Sequence, residues 1–374
     1  MNSNFYIIQN IGVLVVLSLL TTLLVFACRS QFWIEAARKT FKNKRTIVSF
    51  AILTMYLTIG LLDSVSWRDV QLDADGVALL DDTGSPVLQA RGRSLLDRLD
   101  HVTVNLGGHT EQTYSSPFSD QLFPSETKLD ENGVNVRYHR ELKHPGTHPM
   151  GTGMVGMDVM YMGIKGIHTA LVIGGAATLI AVPFALMFGI MAGYRGGWVD
   201  ELITYFYSTL ASIPWVLLVI AFVLAFGQGL LQICLVLGLT SWVGLCRIVR
   251  GEAMKLREMD YVHAARATGA SSFRIQFTHL LPNVMHLVVV RGVLMFSGLV
   301  LAEAVLSYLR VGVGPETASW GRMINQGRFE LSREPIIWWN LVAALVFMFG
   351  LLLPANIFGD AVRDALDPRL AQTK

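Results

Sequence analysis

Charge is scarce in this sequence. Lys, Arg, Asp and Glu make up 16% of its 374 residues, where an ordinary soluble domain carries about 25%. The shortfall is gathered into long apolar runs. Hydrophobic residues reach 52% and the mean hydropathy is +0.47, which argues against a soluble globular protein and for a polytopic membrane protein. Cysteine is scarcer still. Cys28, Cys234 and Cys246 lie within or at the edge of apolar runs with no C-x-x-C spacing, so neither a disulfide framework nor a zinc site is expected. No G-x-x-x-x-G-K-[ST] string occurs, which removes the usual loop for cradling ATP phosphates, and no H-E-x-x-H occurs. The net charge of +2 says nothing by itself about nucleic acid or acidic partners; no nucleic acid is expected among the partners of such a membrane protein. The first apolar run has no Lys or Arg before it and no A-x-A after it, so it reads as a retained helix rather than a cleaved signal.

What is present is a series of apolar stretches near the ~20 residues that cross a bilayer as a helix. Backbone groups cannot stay unpaired in hydrocarbon, so each stretch must be helical. Seven are found: Tyr6–Cys28, Thr46–Leu62, Thr169–Tyr194, Leu202–Phe226, Leu230–Val249, Val284–Tyr308 and Ile336–Phe358. Lys and Arg mark cytoplasmic loops. Arg29, Arg38, Lys39, Lys42, Lys44 and Arg45 place the first loop inside, hence the N-terminus outside and the C-terminus inside. The basic residues of 250–283 and of the tail agree with that orientation. Pro183, Pro214 and Pro354 fall within spans as kinks, and Gly174-Gly175-Ala176-Ala177 and Gly189, Ala192 and Gly193 suit close helix contact.

The expected organisation is a first helix in 1–28, a basic segment and second span in 29–62, an extracytoplasmic segment in 63–160, a membrane core in 161–360 and a cytoplasmic tail in 361–374. The 63–160 segment is polar, with turn signals at Asp82-Thr83-Gly84-Ser85-Pro86 and Glu131-Asn132-Gly133. Val134-Asn135-Val136-Arg137-Tyr138 alternates like a strand. His101, His109, His139, His144 and His148 lie in this segment and read as surface histidines, with a nickel site as the sharper alternative.

The most informative stretch is 250–283, RGEAMKLREMDYVHAARATGASSFRIQFTHLLPN. Tyr261–Thr268 predicts a helix rich in Ala, Gly269 stops it, and Ser271 or Ser272 caps a second short helix, Ser271–His279. Pro282 marks the start of the next span. The product is a helix–Gly–helix element outside the bilayer, whose small alanines allow close docking into a groove. This loop resembles that of permease subunits of binding-protein-dependent ABC importers, dipeptide/oligopeptide/nickel branch. Their loop reads E-A-A, three residues, Gly, nine residues, I-x-L-P, and Ala264-Ala265, Gly269, Leu281 and Pro282 stand at those spacings. His263 replaces the leading Glu and His279 the Ile. D-Y-V-x-A-A-x-x-x-G is close to the peptide branch.

The resemblance covers about 148–369 and the basic stretch before the second span, and leaves out 1–28 and 70–145. His148-Pro149-Met150-Gly151-Thr152-Gly153, Gly156 and Asp158 resemble H-P-L-G-T-D-x-x-G-R-D, with Gly153 and Met157 in place of Asp and Arg. Gly193–Asp200 resembles G-Y-x-G-G-x-x-D. Glu303–Gly314 and Ser319-Trp320-Gly321 resemble E-x-x-L-S-F-L-G-L-G and S-W-G. Gly359–Pro368 matches the family's C-terminal signature.

The resemblance implies an all-α polytopic fold of about seven transmembrane helices, a six-helix importer core plus an extra N-terminal helix, with an extracytoplasmic insertion. It implies a multi-pass subunit of the bacterial inner membrane that has no catalysis of its own and binds no cofactor, ATP and Mg being held by partners. Those partners are a second homologous permease, two ATPase subunits or domains and an extracytoplasmic substrate-binding protein, with membrane lipid around them. The substrate would be a peptide or a related small solute. The ATPase-coupling residues would be Asp260, Tyr261, His263, Ala264, Ala265, Gly269, Ala270 and Pro282. Glu303, a carboxylate about mid-span, with Ser307 and Trp320, is the candidate for the pathway or its gating, the alternative for Glu303 being a structural role facing the helix bundle. A secondary transporter or channel, which would favour several ionisable groups near the midplane, and a membrane-anchored sensor built on 63–160 are the competing readings.

Overall fold

The computed structural model describes residues 18, 31–67, 71, 87, 93–98, 110–129, 135–315 and 317–366. Apart from Ser18, the expected first span Tyr6–Cys28 falls outside the described residues. So do the 82–86 and 131–133 turns, His101, His109 and the tail from Asp367.

The described helices are α1 (Gln31–Thr40), α2 (Lys44–Ser64), α3 (Val159–Arg195), α4 (Gly197–Ser212), α5 (Trp215–Phe226), α6 (Leu230–Arg257), α7 (Asp260–Ala267), α8 (Ser272–Tyr308), α9 (Trp320–Glu330) and α10 (Trp339–Leu366). Five of them, α2, α3, α6, α8 and α10, are long and apolar enough to cross a membrane. The shortest, α2, has 21 residues, roughly 31 Å at 1.5 Å per residue, which matches the hydrocarbon thickness. The pair α4 and α5 passes the same test only together, making up to six spans.

That pair shows the expected kink at Pro214 in Leu202–Phe226 to be a full break, because the two helices meet at 88°. Pro214 is the cause. It offers no N–H, and its ring drives the preceding Ile213 out of the helical region to φ −83, ψ 130. Pro183 and Pro354, by contrast, lie inside continuous helices. A second correction concerns the loop 250–283. The short helix after Ser271 and the span behind it are one helix, joined by a π turn at Gln276–Leu280. The wider turn lets the backbone pass Pro282, which has no N–H to give.

Two compact units divide the chain: Met1–Glu35, Ala51–His168 and Ala318–Phe349 in one, Ala36–Phe50, Thr169–Thr317 and Gly350–Lys374 in the other. The first unit holds the described part of residues 63–160. It contains the two-residue pair β1 (Ser66–Trp67) with β2 (Arg93–Ser94) and the antiparallel hairpin β3 (Gln121–Leu129) with β4 (Asn135–Glu141). The hairpin register runs from Gln121↔Glu141 to Leu129↔Asn135, irregular between Gln121 and Ser125, where Pro124 cannot donate to the ladder. The alternating 134–138 string therefore lies on β4, except Val134, which is outside the described residues.

The insertion is knitted to the 148–158 string. Thr152 Oγ1 donates to Thr113 O and accepts from Ser115 N, both at 2.7 Å. Trp339 Nε1 donates to Thr152 O at 3.0 Å, and Phe123 meets the Trp339 ring edge-on at 5.1 Å. Gly156 takes φ +71, where a Cβ would lie 3.0 Å from Glu111 Cα and overlap its carbonyl, so only glycine fits this turn.

In the second unit one core is built from Ala181, Ala185, Ile203, Trp242, Cys246, Val249, Val262, Ile275 and Val284, among others. Another gathers Ile173, Ala177, Val219, Val223, Ile233, Leu237, Leu299 and Leu306. Small residues set the helix spacing: a Cβ on Gly193 would sit 2.7 Å from that of Ala253. Outside these cores, Val342, Val346, Phe349 and Leu353 stand exposed on α10, and Trp198, Leu202 and Tyr205 on α4. Apolar stripes of that length need lipid or another chain to cover them.

Candidate functional site

The loop 250–283 joins α6 to α8 through α7. Met259 precedes α7 in extended conformation, and Gly269 follows it at φ +81. Ala270 N donates to Ala265 O at 3.0 Å and Gly269 N to Arg266 O at 2.9 Å, the paired bonds of a left-handed helix C-terminus. Ser271 then caps α8, its hydroxyl accepting from Arg274 N at 3.3 Å. Val262 and Ile275, both fully buried, tie the loop into the same core as Val249 and Val284 on the spans. A push on α7 is therefore carried to α6 and α8 by packing rather than by a flexible tether.

The expected docking residues separate into two groups. Tyr261, His263, Ala264 and Gly269 are exposed. Ala265 and Ala270 are half-buried and pack against the core, so they shape the turn as well as its surface. Asp260 is exposed in the first turn of α7, where its charge suits the helix N-terminus. Tyr261 Oη accepts from Asn283 Nδ2 at 3.4 Å, and its ring lies 6.1 Å from that of His279. Pro282 is at the start of the main part of α8.

Three exposed apolar residues on the same loop were not singled out from the sequence: Met259, Phe273 and Phe277. Phe273 is 70% exposed and its ring centroid lies 4.3 Å from that of Phe277. The signal was legible as two aromatics at i and i+4 in an otherwise polar loop.

Glu303 and Ser307 are buried on α8, with Ser307 Oγ donating to Glu303 Oε1 at 2.6 Å. A Cβ on Gly312 would lie 2.6 Å from Ser307 Cα. The E-x-x-L-S string and its later glycine thus close one tight turn at the end of α8. The position that string gives to its first glycine is Arg310, which holds φ +64 without being glycine. Trp320 belongs to the first unit, so the structure does not bring it into a described site with Glu303 and Ser307. Ser319 caps α9 and Trp320 Nε1 donates to Gly163 O at 2.8 Å. On α5, α6 and α8, Trp215, Ser241, Met295, Gly298, Ala302 and Val305 line an open apolar groove of about 430 Å³.

On the first unit, His148 corrects the expectation of surface histidines. It is fully buried, Nδ1 2.7 Å from Asp158 Oδ2 and Nε2 3.5 Å from Glu111 Oε1. Burial opposes its protonated form, but Asp158 and Glu111 outweigh burial and raise its pKa. Glu111 also accepts from Lys143 N and His144 N at 3.0 and 2.9 Å. Glu330, 1% exposed, is raised by burial against the smaller pull of Asn340, Tyr114, Arg333 and Gln326. Tyr114, buried beside it, is pushed up to about 12, first by burial and then by the Glu330 charge. Among the described residues no group of His, Cys, Asp or Glu is arranged to hold a metal ion.

A bundle of apolar helices of bilayer length, joined by a braced helix–Gly–helix loop, defines the class: a polytopic membrane protein. The chain belongs to the binding-protein-dependent transport system inner membrane component family, which matches residues 185–372. It is 35% identical over 224 residues to an oligopeptide transport system permease protein, OppC, of Haemophilus influenzae, covering 60% of this chain and 71% of that one. It is 36% identical over 223 residues to a dipeptide transport system permease protein, DppC, of Bacillus subtilis, covering 60% and 69%. It is 30% identical to a glutathione transport system permease protein, GsiD, of Pectobacterium atrosepticum, covering 60% and 73%. A chain of the solved MetNI methionine ABC transporter aligns over 56% of this chain and 98% of its own, at 19% identity and a TM-score of 0.47, too loose a likeness to carry weight. The chain is an ABC importer permease of the peptide family, a multi-pass protein of the inner membrane.

Proposed function

We propose that this chain forms, with a second homologous permease, the path by which peptides delivered by an extracytoplasmic binding protein cross the membrane. Separate ATPase subunits drive the cycle, binding ATP and Mg themselves, and this chain performs no catalysis. Loop 250–283 faces the cytoplasm and seats in the ATPase. The N-terminus lies outside and the C-terminus inside, in keeping with the six basic residues of 29–45. Glu303 and Ser307 act near the path by holding the end of α8, and the apolar groove beside them faces the second permease or the path.

The observation that carries this reading is the bracing of α7. Its outer side offers Ala264, Tyr261 and His263, while Val262 beneath is fully buried in the core of the spans. Such an element has the geometry to convert a partner's closure into span movement, a coupling between two sites through one two-state body.

Ala264→Glu places a charged side chain on the exposed docking surface without touching the core. In the reconstituted complex it should abolish substrate-stimulated ATPase activity or release the ATPase, while the protein still inserts in the membrane. Wild-type transport with the ATPase still bound would remove the loop from the coupling role. Cysteines at Ser3 and Thr373, with the native cysteines removed, should label from opposite sides of intact cells; labelling from one side would overturn the orientation.

A further inference from the structure

Three arginines from three different helices converge beside the docking loop. Arg195 ends α3, Arg257 ends α6 and Arg266 lies on α7. With Tyr194, Glu258, Ala270 and Ser272 they line an open polar basin of about 550 Å³. Arg257 donates to Glu258 at 2.8 Å and approaches Gly193 O at 3.4 Å. Arg266 stands 5.0 Å over the Tyr194 ring, with Nε 3.4 Å from its Oη. Arg195 is exposed and makes no hydrogen bond or ion pair among the described residues. Three guanidinium groups against one carboxylate leave the basin with a net charge of +2.

The bland account is that cations gather at helix C-termini and on cytoplasmic surfaces. It covers Arg195 and Arg257 one at a time. It does not cover an Arg brought over from α7 to the same opening.

The basin's level in the membrane points to its ligand. Gly193 packs against Ala253, so the end of α3 lies level with 253–257 on α6. The apolar part of α6 ends near Val249. Four to eight further residues carry the helix about 6–12 Å past the hydrocarbon, into and just beyond the headgroup layer. Three residues after Arg195, Trp198 is 73% exposed, and Leu202 and Tyr205 continue its stripe along α4. Exposed Trp and Tyr at this depth suit the lipid interface, so the basin opens beside an apolar surface fit to receive acyl chains.

We propose that the basin binds the phosphate of an anionic phospholipid of the cytoplasmic leaflet, its acyl chains lying along Trp198 and Leu202. Basic pockets among spans on this side of a membrane suit such headgroups. Because Arg266 is on the docking element, the bound lipid would steady α7 against the spans. The assignment rests on placing loop 250–283 at the cytoplasmic surface. The measurement that follows is made in detergent and is indifferent to orientation, so the two readings can fail separately.

The assembled transporter, purified in detergent, is titrated with phosphatidylglycerol or phosphatidylcholine, and retained lipid is counted by native mass spectrometry. Phosphatidylglycerol should be retained in preference. Arg195→Gln should weaken that retention roughly fivefold, the worth of one cation at an anionic headgroup. Lys42→Gln, a cytoplasmic charge outside the basin, should change nothing. Millimolar inorganic phosphate should leave the lipid in place. Unchanged retention in Arg195→Gln overturns the proposal, as does equal loss in Lys42→Gln. Displacement by inorganic phosphate would make this a site for free phosphate instead. Loss of the ATPase from Arg195→Gln with lipid retention intact would assign the basin to an acidic patch of that partner.

Discussion

Gly269 separates conformational strain from steric exclusion, because the structure supplies one and leaves the other open. Its φ is +81, yet a Cβ built on it would meet nothing within 4 Å. In this chain alone, then, a side chain at 269 costs only what the left-handed region costs. That is about 1–2 kcal/mol for an L-residue such as Ala, less for Asn, which bonds locally in this region, and up to about 3 kcal/mol for a β-branched residue. The paired bonds from Ala270 and Gly269 to Ala265 and Arg266 make the backbone unable to relax without unwinding the end of α7. The expected order of stability is Gly, then Asn, then Ala, then Val, read as thermal unfolding of the purified chain. Gly156 is the contrast, since a Cβ there would overlap the Glu111 carbonyl, and Gly156→Asn should be destabilised as badly as Gly156→Ala. Substrate-stimulated ATPase activity of the assembled transporter then reports the partner's side. If Gly269→Asn keeps its stability but releases the ATPase, the partner fills the open space around 269. If Gly269→Val is as stable as Gly269→Asn, the strain argument is refuted.

The same reasoning has the opposite sign at Arg310, a non-glycine at φ +64. Arg310→Gly should raise stability by about 1 kcal/mol, measured by the unfolding midpoint, and no gain would mean that contacts of the Arg side chain offset the strain. Asp200 and Arg250 are joined by two close charge-assisted bonds, one of 2.6 Å. Asp200→Ala should cost about 2–3 kcal/mol, whereas Asp200→Ala in an Arg250→Ala background should cost much less; strict additivity in this double-mutant cycle would refute the pairing. The first unit should be more stable at pH 6 than at pH 8. His148 has a raised pKa, so its contribution is complete below its unfolded value near 6.5 and is lost as pH rises through the folded value. Glu330, also raised, has the same sign. Burial raises Asp97, but Lys165, Ser94 and Tyr161 together outweigh it and lower its pKa, so its contribution is lost only as pH falls into acid through the lowered value. His148→Gln should flatten the slope between pH 6 and 8, and an unchanged slope would assign it to other groups.

Composition alone determined the class of this protein. Apolar runs of bilayer length must become helices because hydrocarbon offers no partner to a backbone N–H or C=O. Of the seven spans expected, those at Thr46–Leu62, Thr169–Tyr194, Leu230–Val249 and Val284–Tyr308 fall within observed helices, and Ile336–Phe358 does so from Trp339 onward. The stop at Gly269 and the cap at Ser271 were equally legible, being set by φ and by one hydroxyl within a few residues. Tertiary structure decided the rest. Pro214 could be read as a kink, but not as an 88° break, since that depends on what α4 and α5 pack against. The π turn before Pro282 and the burial of Val262 under α7 depend on the spans behind them. His148 looked like one of several scattered histidines because Glu111 and Asp158, 37 and 10 residues away in the numbering, meet it only in the fold. The arginine basin was invisible for the same reason. Arg195, Arg257 and Arg266 each serve the positive-inside pattern along the chain, and only the packing of Gly193 on Ala253 brings the helix ends level and turns separate charges into one site.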